Sequence, residues 1–153
     1  LFKAGAEKLC NAFGFCPRFV LIDKVINWSP SGPMFYFQYE CQLVNIETGK
    51  VVATGIGSCN SMESKYRYRW LWKNQLDDLG MKPDGLVTRK TKSGGVQYRV
   101  ENDDVFSQVN TLDKMAQKRA LVAATLIGAN ASEHFTQDVE DLPDFGYIDA
   151  EIA

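Results

Sequence analysis

Between positions 64 and 73 the chain reads Ser-Lys-Tyr-Arg-Tyr-Arg-Trp-Leu-Trp-Lys, with cations and aromatic rings alternating. Cations neutralise phosphates and displace their counterions, while ring faces stack on unpaired bases without reading sequence. Interleaving the two is the chemistry of a groove for a single nucleic-acid strand. Lys65, Tyr66, Arg67, Arg69 and Lys73 are the candidate contacts. The competing reading is an amphipathic strand whose rings are core and whose cations are solvated. The backbone state stays open at this level. As a strand, Lys65, Arg67 and Arg69 share one face and Tyr66, Tyr68 and Trp70 the other; as a helix, Lys65, Arg69 and Lys73 align instead.

A second set of cations, Lys114, Lys118 and Arg119, falls inside a long helical pattern. The two lysines project from the polar side, which in most helices is simply a solvated face. Arg119 points into the apolar arc, near Leu112, Met115 and Leu126. A guanidinium there needs a groove, a partner or a paired carboxylate.

Signatures of covalent chemistry are missing. The chain has no G-x-x-x-x-G-K-[ST] phosphate loop and no G-x-S-x-G nucleophile elbow. Cys59 and His134, the single histidine, could form a thiol–imidazole pair, but a strand cysteine and a tail histidine are ordinarily structural. Asp138, Glu140, Asp141 and Asp144 could hold a divalent cation in the manner of a small nuclease, although nothing suggests a rigid frame around them. Cys10, Cys16, Cys41 and Cys59 form neither a C-x-x-C pair nor a disulfide framework, so reduced thiols in a cytosolic protein are expected. Neither catalysis nor a bound cofactor or metal is expected.

The 153 residues suit one domain, and no apolar run approaches the roughly 18 residues of a membrane helix. The formal net charge of −2 conceals a strong asymmetry. Residues 1–64 balance five basic against five acidic side chains, 65–99 carry nine basic against three acidic, and 100–153 carry three basic against eleven acidic. A small-molecule enzyme does not require such a split, whereas an anionic partner at the basic block would.

The elements that must position these residues follow from periodicity. Residues 3–13 read as a helix through Ala6, Leu9, Cys10 and Phe13, stopped by Gly14. Residues 19–26 form a first strand. Residues 34–44 alternate strictly, with Phe35, Phe37, Tyr39, Cys41 and Leu43 on one face, and 51–59 return as the partner after a turn at Gly49. Gly55 and Gly57 share a face and leave room for a close approach. Residues 80–96 read as a long exposed loop or hairpin, and 96–100 as a short extra strand. Asn102 is placed to cap a helix of about seven turns, its apolar face running Val105, Val109, Leu112, Ala116, Ala120, Ala123, Ile127. The expected fold is α+β: an N-terminal helix, a three-stranded antiparallel meander, a basic insertion over about 65–100, and a long C-terminal helix across the sheet. Residues 1–131 would form the domain and 132–153 an acidic, loosely ordered tail.

Two motifs on this frame carry a family likeness. Lys118-Arg-Ala-Leu121 in the long helix, and Gly55-Ile-Gly-Ser-Cys-Asn-Ser61 at the third strand and its exit turn, resemble the single-strand annealing superfamily, which includes the Rad-fifty-two annealing protein and phage recombination proteins. The resemblance covers roughly residues 4–61 and 103–130; residues 65–100 depart from it. It implies side-by-side homo-oligomers, as rings or helical filaments, holding single-stranded DNA in a basic groove and annealing it without ATP during recombination and repair. By the same likeness Lys118 and Arg119 match groove cations, and Lys65 one that follows the third strand. A phage exonuclease or single-strand-binding protein as partner, and the cytoplasm of a bacterial host as location, come with the likeness. A double-stranded-RNA-binding module shares the order helix, three strands, helix, but its lysines cluster at the start of the second helix. Here Asp103 and Asp104 stand there.

Overall fold

A computed structural model describes residues 2–130 and the strand Tyr147–Asp149. Helix α1 (Lys3–Phe13) buries Ala6 and Cys10 and ends at Gly14, whose φ of 68° suits the residue without a Cβ. Strands β1 (Phe15–Asn27), β2 (Met34–Asn45) and β3 (Val51–Asn60) follow as an antiparallel meander in the order β1-β2-β3. The alternation in β2 is realised as read: Phe35, Phe37, Cys41 and Leu43 are buried, with Tyr39 half-buried among them. β1 is longer than its periodicity suggests, because a bulge at Ile22 shifts the register between Leu21 and Asp23 and breaks the alternation in mid-strand.

Helix α4 (Val109–Gly128) crosses the inner faces of β2 and β3. The glycines of β3 make this possible. A Cβ on Gly57 would sit 2.6 Å from the Ala116 carbonyl oxygen, and one on Gly55 2.7 Å from the Ala123 backbone. The helix meets them with Ala116, Ala120 and Ala124, all fully buried, so small residues face small residues and the backbones approach closely. Buried Thr125 donates its hydroxyl to the Leu121 carbonyl at 2.8 Å, which satisfies the one polar side chain in this stretch of core.

The helix differs from expectation at both ends. Asn102 is not its cap. The Asn102 side-chain amide donates to the Tyr66 carbonyl at 3.0 Å and its oxygen accepts from the Asp104 N–H, so Asn102 ties two segments together. A 3-10 turn (Phe106–Gln108) precedes α4, with Phe106 stacked on Trp28 at 6.0 Å and edge-on to Phe35 at 6.1 Å. That tertiary packing draws residues 102–108 out of the helix. At the far end Ile127, expected on the apolar face, is 64% exposed, because burial follows the four-residue step 112, 116, 120, 124.

Residues 64–101 are a folded unit, and of the two readings of 80–96 the hairpin is the one realised, its return strand being the short one expected at 96–100. The one-turn helix α2 (Ser64–Arg67), strand β4 (Tyr68–Trp72), helix α3 (Lys73–Asp78) and strands β5 (Thr88–Thr91) and β6 (Val96–Glu101) build a second sheet. Its order is β4-β6-β5-β7, the last being Tyr147–Asp149. Leu71, Leu76 and Val100 form its own small core, with Leu86 and Tyr98 against them. Tail residues 132–146 and 150–153, His134 and the four tail carboxylates among them, lie outside the described residues. Among the described residues no helix is long and apolar enough to cross a membrane.

Candidate nucleic-acid interface

α4 covers β2 and β3 but stops short of β1, while α1 sits beside both α4 and β1. The inward residues of β1 are therefore left open: Phe19, Leu21 and Ile26, opposite Cys41, Tyr39 and Phe35, are 39–42% exposed. A trough of about 620 Å³ runs here, lined by Pro17 and Phe19 of β1, Lys114, Lys118 and Leu121 of α4, and Lys3 of α1. Lys114 and Lys118 thus share one concave site, as their four-residue spacing allows. Lys3 was not among the sequence candidates, because nothing local reveals that α1 lies against α4. Its ammonium pairs with Glu7 at 3.5 Å in an exposed contact.

Arg119 turns away from that trough. Its guanidinium donates two hydrogen bonds to Glu63, at 2.8 and 2.9 Å, and a third to the Ser58 carbonyl at 2.6 Å. Of the three fates open to an arginine in an apolar arc, the paired carboxylate is the one realised. Burial by itself would raise the Glu63 carboxyl, but the hydrogen bonds and charge of Arg119 outweigh it and hold the group below its ordinary value. The same corner holds Cys59, whose thiol is pushed up to about 11, first by burial and then by the Glu63 charge. It is a protonated core thiol at neutral pH, not a thiolate nucleophile. On β2, Tyr39 donates to Asp113 at 2.6 Å; burial and that acceptor raise its phenol.

The alternating run at 64–73 is divided between a helical turn and a strand, so neither of the two readings applies throughout. Tyr66 is 7% exposed and packs with Phe35, Phe37, Cys59, Leu112 and Ala116. It is a core ring, which corrects its reading as a stacking contact: one turn of helix swings it under the first sheet. Lys65 is exposed, its ammonium 4.8 Å from the Tyr66 ring centre. Arg67 pairs with Glu101 at 3.3 Å and Arg69 with Asp103 at 3.1 Å, both at the surface. Such solvated pairs are weak, and a phosphate competes readily for the same guanidinium. Lys73 opens α3 and is exposed.

The remaining rings of the run behave differently. Tyr68, Trp70 and Trp72 lie on the face of β4 opposite buried Leu71, and arginines that sequence reading had not singled out join them. The guanidinium of Arg99 lies 4.3 Å from the Tyr68 ring centre, and that of Arg89 4.3 Å from Trp70. Their signal was present as period-two placement in two strands, but the register that brings them to the rings is not local information. Among the described residues no group of His, Cys, Asp and Glu side chains is arranged to hold a metal ion. The structure is that of an α+β protein with a lysine-lined trough on its first sheet and a face of rings and arginines on its second. No protein-family model, curated protein or solved structure matches the chain.

Proposed function

We propose that this chain binds single-stranded DNA and anneals complementary strands without ATP, acting as a homo-oligomer in recombination. The observation that carries this reading is the trough between α4 and β1, lined by Lys114 and Lys118, by Lys3 with its partner Glu7, and by the apolar Pro17, Phe19, Met115 and Leu121. Ammonium groups there neutralise phosphates, and a strand held by its backbone keeps its base edges available to a complement. Pairing energy drives the reaction; the protein supplies proximity and charge neutralisation, with no covalent step. The likeness of Lys118-Arg-Ala-Leu121 to the annealing superfamily agrees with the position of Lys118. In this chain Arg119 would serve that site from behind, by fixing α4 on β3.

Oligomerisation is supported by β1. Hydrogen-bonded to β2 on one side, it exposes Phe19, Val20, Leu21, Ile22, Val25 and Ile26 to 38–50% on both faces. A long apolar edge strand is a template for association. Copies set side by side along it would join their troughs into a continuous path for one strand. An exonuclease or single-strand-binding protein of a phage, in a bacterial cytoplasm, would then be the natural companion.

Fluorescence anisotropy with labelled single-stranded and duplex oligonucleotides, titrated over salt without ATP or divalent metal, tests the reading. Preferential single-strand binding is expected, with Lys118→Ala weakening it uniformly and reducing the salt slope by about one. Equal or tighter binding to duplex RNA would instead favour the double-stranded-RNA module, a rival supported by the contact of α1 with α4. Divalent-dependent cleavage of the probe would point to the tail carboxylates.

A further inference from the structure

We propose that the outer face of the second sheet is a stacking platform for unpaired nucleobases, separate from the lysine trough. The register builds it. β4 sets Tyr68, Trp70 and Trp72 opposite Glu101, Arg99 and Gln97 of β6, and Gln97 stands opposite Arg89 of β5. Leu71 and Val100 point the other way, into the core closed by Leu76 of α3. Among the described residues none of the three rings belongs to a hydrophobic core cluster. Tyr68 and Trp70 are half-buried and Trp72 is 39% exposed.

The face is cationic and held in place. Arg99 and Arg89 lie on the Tyr68 and Trp70 rings at 4.3 Å, and Arg67 is 5.1 Å from Tyr68. The register places two carboxylate positions on this face: Glu101, which is engaged with Arg67, and Asp149 of β7, which stands opposite Arg89. Trp72 lies against the β5–β6 turn at Gly95, where a Cβ would sit 2.6 Å from a ring carbon and displace the outer edge of the indole. The turn itself is braced by the Gly95 N–H donating to the Thr91 hydroxyl at 3.1 Å. A guanidinium stacked on an aromatic ring offers its own plane to a base and its outer N–H groups to a phosphate.

Geometry selects the occupant. Alternate residues of a strand lie about 6.7 Å apart, roughly twice the 3.4 Å rise per nucleotide of a duplex strand. One base per ring therefore requires an unstacked, extended strand, which a duplex cannot supply. The platform would take such a segment by its bases, whereas the trough takes phosphates. The inference rests on the proposed single-strand binding only in its choice of ligand, and its test separates the two.

The test is titration of the full chain with oligothymidylate, read by intrinsic tryptophan fluorescence and by anisotropy. Quenching on binding is expected, with Trp72→Ala and Arg99→Ala each weakening affinity about tenfold. Trp72→Ala should leave the salt slope unchanged. Arg99→Ala should lower it by about one, and Arg99→Lys should restore the slope without restoring the full affinity. Full affinity in Trp72→Ala and Arg99→Ala, both folded by circular dichroism, together with loss in Lys118→Ala, would overturn the platform and leave the trough standing. The converse pattern would keep the platform and remove the trough. A change in sedimentation without a change in affinity would make the face a contact between copies and likewise overturn the proposal.

Discussion

Arg119 is the residue at which the chemistry of the helix and the chemistry of the fold meet. Its bidentate pair with Glu63 is three-quarters buried, with side chains 22% and 25% exposed, so removing one partner strands the other charge in poor solvent. Arg119→Ala is expected to cost on the order of 2 kcal/mol in denaturant unfolding, the buried-pair figure discounted for partial exposure. Lysine should recover little of this, because it cannot present the fork. Loss of DNA binding without loss of stability would make Arg119 a groove contact instead. The pH dependence follows from Glu63. Its folded pKa is depressed below the ordinary 4.5, so the unfolded chain takes up the proton first. The stabilisation is complete above that value and is lost as pH falls through the lower, folded one. Thermal unfolding of the wild type should therefore weaken on acidification below 4.5 more steeply than that of Glu63→Gln.

Elements meet where side chains are smallest. β3 offers Gly55 and Gly57 to the alanines of α4, and this approach sets the height of the helix over the sheet. Gly57→Ala would drive a methyl into the Ala116 carbonyl and is expected to destabilise by about 3 kcal/mol, the upper range for overpacking. An unchanged denaturation midpoint would mean that α4 can shift freely. The opposite edge of the same sheet makes the opposite prediction. Leu21 and Ile22 on β1 are themselves exposed, so with Leu21→Glu and Ile22→Glu together the fold should persist while light scattering reports smaller assemblies and single-strand affinity falls through lost avidity. Wild-type protein that is monomeric at working concentration would remove β1 as an assembly edge.

Across the whole molecule the charges are sorted as well as the folds. The cations of the second sheet and of α4 belong to the described body, while residues 131–153 hold seven acidic and no basic side chains. β7 brings part of that segment to the platform sheet, running antiparallel to β5 with Asp149 in register with Arg89. Negative charge on the same chain competes with phosphate for a cationic surface. Truncation after Asn130 raises the formal net charge from −2 to +5. It should tighten single-strand binding several-fold at low salt, an advantage that fades as the Debye length falls to about 10 Å at 0.1 M. Equal affinity of the two forms at low salt would show that the acidic end does not compete.

The sequence by itself determined the α+β order of the first sheet and its two helices, the stop at Gly14, the inward face of β2 and the close approach at Gly55 and Gly57. Each of these is written in a local period or in a residue type that tolerates one geometry. It also marked the interleaved run at 64–73 as the place for cations and rings. Only the tertiary structure decided which ring does what, sending Tyr66 inward and leaving Tyr68, Trp70 and Trp72 on a surface. It likewise placed Arg119 on Glu63, 56 residues away, and brought Arg89 and Arg99 to rings on another strand. Those choices depend on register and on packing between distant segments, and a local pattern carries no record of either.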